Sequence, residues 1–115
     1  MSLLLTPERC AAIYECLRAF PPFDKWRLPP AEEVEFRTPN RKDIFGEYIE
    51  FDPHIITLSL TNIGHYETAH RVIAHEMLHL SQAIAGTRTK SQHNADWHKR
   101  ARTVCRHMGW DYKAF

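Results

Sequence analysis

The sequence predicts an α+β domain: one helix, a small sheet of three short strands, then two more helices. Three observations carry that expectation. Apolar residues recur at helical spacing near both ends of the chain and across residues 66–85. The stretch between the first and second helical segments is rich in β-branched and aromatic residues and broken by turn formers. At 115 residues the chain suits one domain with one modest core, taken to span residues 1–115.

Thr6-Pro7-Glu8 reads as a helix start, with a hydroxyl cap, a proline in the first turn and an acid near the positive end. Cys10, Ile13, Tyr14, Leu17 and Phe20 follow on one face, and Pro21-Pro22 stops the helix. Residues 21–33 are proline-rich and read as a surface loop pinned by Phe23, Trp26 and Leu28. Val34–Arg37 is expected as a short strand, followed by a turn over Thr38–Asp43. Ile44–Phe51 and Ile55–Leu60 have strand composition, with a turn at Asp52-Pro53-His54 between them. The sheet is expected to be mostly antiparallel, with Ile55–Leu60 as an edge. A helix is predicted from Tyr66 to Ala85, closed by Gly86. The last helix starts near Asn94, buries Trp97, Ala101, Val104, Cys105 and Met108, and closes at Gly109.

Composition narrows the class. Hydrophobic content of 43% and charged content of 25% fit a water-soluble globular chain. No apolar run approaches the ~20 residues that span a bilayer. Met1–Leu5 lacks the basic start and full apolar region of a secretory leader, so the expected location is the cytoplasm. Cys10, Cys16 and Cys105 are odd in number and form no Cys-x-x-Cys, which argues for buried free thiols rather than a disulfide framework. Net charge is +1. Arg88, Lys90, Lys99, Arg100, Arg102 and Arg106 make the C-terminal part basic. An ordinary solvated helix face explains this run better than a nucleic-acid surface, so at most a weak, salt-sensitive DNA contact is expected.

The chemistry sits in Val72–Leu80, which contains His75-Glu76-Met77-Leu78-His79. On a helix, residues four apart share a face, so both imidazoles can point at one ion, with Glu76 beside them to hold a water. Two nitrogen ligands plus a general base is the zinc-peptidase arrangement. Ile73, Met77, Leu80 and Ile84 fall on the opposite side as a core stripe. A catalytic zinc usually takes three protein ligands. After His79 the candidates are His93, Asp96, His98, His107 and Asp111; no Glu follows Glu76. His93 is the favoured third ligand, because it stands at a loop-to-helix junction from which it can swing onto the ligand helix.

His75-Glu76-Met77-Leu78-His79, a spacer, then His93-Asn94-Ala95-Asp96-Trp97 resembles the SprT-like zinc metallopeptidases, which include the Spartan-type proteases. Their second motif is commonly His-Gly-Pro-Glu-Phe; here Asn94 and Ala95 stand at the Gly and Pro positions, and Trp97 at the Phe position. The resemblance covers about residues 67–108. It implies a zincin-like fold, with His75, His79 and His93 as Zn²⁺ ligands and Glu76 as general base. It also implies an endopeptidase acting on protein or peptide substrates, DNA-associated proteins among them. The alternative is a non-catalytic, zinc-stabilised module that binds nucleic acid or a protein partner.

Overall fold

The computed structural model describes residues 4–115; Met1–Leu3, part of the stretch read above against a leader, lie outside the described residues. It is an α+β domain. In chain order it has α1 (Pro7–Arg18), β1 (Val34–Arg37), β2 (Gly46–Ile49), β3 (His54–Leu58), α2 (Tyr66–Ala85) and α3 (Ala95–Met108). Short 3-10 turns lie at Phe23–Lys25, Ala31–Glu33 and Tyr112–Ala114.

Local chemistry sets the helix ends. The Thr6 side chain accepts from Arg9 N–H at 3.2 Å, and Asn94 accepts from Trp97 N–H at 2.9 Å. Gly86 and Gly109 end α2 and α3 in the left-handed region, at φ 75° and 71°, where a side chain would be strained.

The sheet is mixed, with strand order β1-β3-β2. β2 pairs antiparallel with β3, Gly46 opposite Leu58 and Ile49 opposite Ile55. β1 pairs parallel with β3, Val34 opposite His54 and Arg37 opposite Thr57. This corrects the expected mostly antiparallel sheet. The loop after β1 passes over the end of β3, so β2 returns beyond it and β3 slots into the middle. Asn62 ties that loop down, its amide donating to the Ile44 carbonyl at 2.5 Å and to Arg41 and Lys42 carbonyls at 3.2 Å. The buried Ser59 hydroxyl also binds the Arg41 backbone. Ile55–Leu60 is therefore not an edge; the exposed edges belong to β1 and β2.

α2 runs through the centre, packed against α1, α3, β2 and β3. Ile73, Met77, Leu78 and Leu80 meet Tyr14, Phe23, Ile56, Leu58 and Val104 in the core. Three residues placed on apolar stripes are exposed instead: Cys16, Phe20 and Ile84. Cys16 and Ile84 lie in the last turn of their helices and Phe20 lies just past the end of α1. Among the described residues, no helix is long and apolar enough to cross a membrane.

Candidate metal centre

Three imidazoles converge where α2 meets the loop before α3. His75 and His79 lie one turn apart on α2, with ring centroids 5.4 Å apart. The His93 ring stands 5.1 Å from His75 and 5.3 Å from His79. One nitrogen from each lies within 4.8 Å of the other two. A tetrahedral ion with metal–nitrogen bonds of about 2.0–2.1 Å needs nitrogens about 3.3 Å apart, a spacing that modest ring rotations reach. Trp97 backs the cluster, its ring stacked on His93 at 4.1 Å and tilted against His75 at 4.9 Å.

The residues fit a metal. His79 is 5% exposed, and its Nδ1 is buried with no hydrogen-bond partner. Burial, reinforced by the neighbouring His93, pulls His75 down to about 4 against the pull of the Phe115 backbone. Burial likewise takes His79 to about 3, helped by His75, His93 and Arg88. His93 is lowered too, by burial and then His98. The lowering favours the neutral form of each ring, the form whose lone pair can bind a cation. A set of three imidazoles suits zinc and several other first-row divalent ions.

Glu76 sits next to the cluster and is 6% exposed. Burial pushes its carboxyl up to about 8, Glu47 adds to the rise, and Arg88 opposes it. Across from it, Gly46 at the start of β2 approaches α2 too closely for any side chain. A Cβ there would lie 3.2 Å from Glu76 Oε2 and 2.5 Å from Val72 Cγ1. Two cavities open from this point and share Gly46, His75 and Glu76 in their walls. One, of about 380 Å³, is bounded by Phe45, Val72, Arg71 and Phe115. The other, of about 280 Å³, is bounded by Glu47, Tyr48, Arg88 and the two remaining imidazoles.

A polar clasp fixes the loop that carries His93. The buried Gln82 amide donates to Asn94 Oδ1 at 2.9 Å and to Asp96 Oδ2 at 3.0 Å. Thr87 Oγ1 donates to Asp96 at 2.8 Å, and Arg100 Nε does so at 2.9 Å. Asn94 Nδ2 returns a bond to the Thr87 carbonyl at 3.1 Å. Burial works against the Asp96 charge, but the bonds from Gln82, Thr87 and Arg100 outweigh it and hold the carboxyl below its ordinary range.

Those bonds decide among the candidate third ligands. Asp96 is taken by the clasp. His98 Nδ1 is bonded to the Tyr112 hydroxyl. Asp111 caps the last turn through Lys113 N–H at 3.0 Å, and His107 is exposed on α3. His93 alone of the five joins His75 and His79. Composition did not mark Gly46, Gln82 or Arg88 as site residues. A signal existed for Gly46: an isolated glycine within a strand often marks a close approach.

The basic run is partly spent within the fold. Arg88 pairs with Glu50 at 3.1 Å and lies over the Tyr48 ring at 4.9 Å. Arg100 pairs with Asp96 at 2.9 Å and lies over Trp26 at 5.1 Å. Arg102 lies over Tyr112 at 5.8 Å, which leaves Lys90, Lys99 and Arg106 with exposed side chains. No family model matches this chain, and no curated protein or solved structure is significantly similar to it.

Proposed function

We propose that this chain is a zinc-dependent endopeptidase of SprT-like type, with His75, His79 and His93 as metal ligands and Glu76 as general base. The convergence of three imidazoles beside a buried carboxylate, at the meeting of two open cavities, carries this reading. Zinc held there would supply Lewis acidity toward a carbonyl oxygen and acidify water. A cation at the three rings favours the ionised form of Glu76, which burial alone opposes. Glu76 then takes a proton from the attacking water and returns it to the leaving amine.

The chain's own surface suits an extended peptide. β2 is an edge strand, and Gly46, Glu47 and Tyr48 on it line the cavity that holds the imidazoles. Phe45 and Phe51, flanking β2, are 58% and 67% exposed. A substrate could add to this edge through backbone hydrogen bonds and set alternate side chains into the two cavities. The DNA-associated substrates that the resemblance implies would meet the protein through Lys90, Lys99 and Arg106.

Zinc analysis with casein or peptide cleavage tests the proposal. Wild type should carry near-stoichiometric zinc and cleave; Glu76→Gln should keep the zinc and lose at least about 10²-fold in rate. Equal rates in the two proteins would overturn Glu76 as the base. Zinc in both with cleavage in neither would favour the binding-module reading, and absence of zinc would remove both.

A further inference from the structure

Hydrolysis at this centre needs a donor for the negative charge that develops on the substrate carbonyl oxygen, and sequence motifs name none. Arg88 lines the smaller cavity together with His75, Glu76, His79 and His93. Among the described residues it is the one Lys or Arg in that wall. We propose that Arg88 is the electrophilic residue that donates to the carbonyl oxygen of the scissile peptide in the transition state. This rests on the peptidase reading.

Three features support a catalytic over a merely structural Arg88. Its guanidinium is held from two sides, by Glu50 at 3.1 Å and by the Tyr48 ring at 4.9 Å. Both partners lie on or beside β2, the strand edge offered to substrate, so docking of a peptide there brings its carbonyls to the guanidinium. The Glu50 bond uses one of five N–H donors, and Arg88 stands in the cavity wall with the rest of that inventory. An exposed ion pair of this kind contributes only about 0–1 kcal/mol to stability, too little to explain a cation kept beside three imidazoles. The other polar groups of the wall serve less well. The Tyr48 hydroxyl is engaged with His54 Nδ1 at 2.7 Å, Glu47 carries the wrong charge, and Gln92 is neutral.

The step balances without further reagents. Water oxygen bonds to the carbonyl carbon while its proton passes to Glu76, and the C=O π pair moves onto the oxygen facing Arg88. That pair then returns as the C–N bond breaks, and the Glu76 proton goes to the departing nitrogen. Arg88 exchanges no proton and stabilises charge only between these two events.

The experiment compares zinc-loaded wild type, R88A, R88K and E50Q on one chromogenic peptide. Each variant is also titrated with a phosphinic peptide that mimics the tetrahedral species. R88A should lose about 10²-fold in kcat with KM within about threefold, and its affinity for the phosphinate should fall by a similar factor. Millimolar guanidinium should restore part of the R88A rate, R88K should fall between, and E50Q, which frees one side of the guanidinium, should lose less kcat than R88A. Zinc content and thermal midpoint should hold in all four. An active wild type with R88A unchanged in kcat, or with substrate and phosphinate weakened equally, overturns the role of Arg88. A zinc-loaded wild type that cleaves nothing overturns the peptidase reading itself. If R88A does not fold, R88M, which keeps the stem over Tyr48, carries the same readings.

Discussion

Gly46→Ala is a sharp test of how the sheet presses on α2. The added methyl would lie 2.5 Å from Val72 Cγ1, 3.1 Å from the Thr57 carbonyl oxygen and 3.2 Å from Glu76 Oε2. Non-bonded carbons settle at about 3.5–4.0 Å, so either Val72 or β2 must move by about 1 Å. Val72 is β-branched on a helix and has one favoured rotamer, so it does not turn away cheaply. Thr57 lies on the central strand and is held on both sides. Overpacking of this kind costs about 1–3 kcal/mol, which for a domain of this size lowers Tm by about 5–10 °C. Thermal unfolding of the zinc-loaded protein measures it. Val72→Ala removes the worst contact, so G46A should cost at least about 1 kcal/mol less in a V72A background than in wild type. Peptide cleavage should not recover in parallel, because the contact with Glu76 persists. A G46A protein as stable as wild type, or losses that simply add in the double variant, would refute the close approach of β2 to α2.

Three further outcomes follow from the same geometry. Glu76 has a folded-state pKa raised from 4.5 to about 8 by burial, so in metal-free protein folding takes up a proton between those values and stability falls as pH rises through them. Urea unfolding in chelator should show Glu76→Gln gaining on wild type by up to roughly 4 kcal/mol from pH 5 to pH 9, at about 1.4 kcal/mol per unit. His75 and His79, which are depressed, give the opposite loss as pH falls below about 6.5, common to both proteins. Zinc should shrink the Gln advantage. Gln82→Ala or Asp96→Asn should loosen the clasp and weaken zinc binding about 10–100-fold in competition with a chromophoric chelator, while Lys99→Ala leaves it unchanged. Alkylation of native protein at neutral pH should label Cys16 alone: Cys105 is buried, and burial followed by Glu8 pushes the Cys10 thiol up to about 12.

What was legible in the sequence is what local chemistry controls. The bounds of α2, the Gly86 cap, the Asn94 cap and the His75–His79 pair depend on residues within a turn or two. Pairing direction in the sheet does not. It was nevertheless hinted at by length, since eight residues separate β1 from β2 where four separate β2 from β3. A short loop favours a hairpin, and a longer one frees the chain to cross. Apolar periodicity likewise overreached at Cys16, Phe20 and Ile84, because a stripe says which face is apolar and not how far its neighbour extends. The clasp was hidden for a different reason. Gln82 occupies a fully buried position on an apolar helix, and only the folded loop shows that Asn94 and Asp96 satisfy it.

The burial of Glu76 bears most directly on the choice between a catalytic and a structural metal. A structural zinc site is closed by four protein ligands, and nothing in such a site repays an ionisable group buried beside it. Here three imidazoles converge, among the described residues no fourth His, Cys, Asp or Glu joins them, and two cavities open beside the cluster. The carboxyl lies on the boundary of both cavities, beside a glycine whose missing Cβ lets β2 approach it closely. Without an ion, the three rings and the raised carboxyl oppose folding at opposite ends of the pH range. A cation relieves the carboxyl and binds the rings at once, so the cost of burying Glu76 falls only when the metal is there to use it. That coupling favours hydrolysis over scaffolding, and the different responses of Glu76→Gln with and without zinc are where it would show.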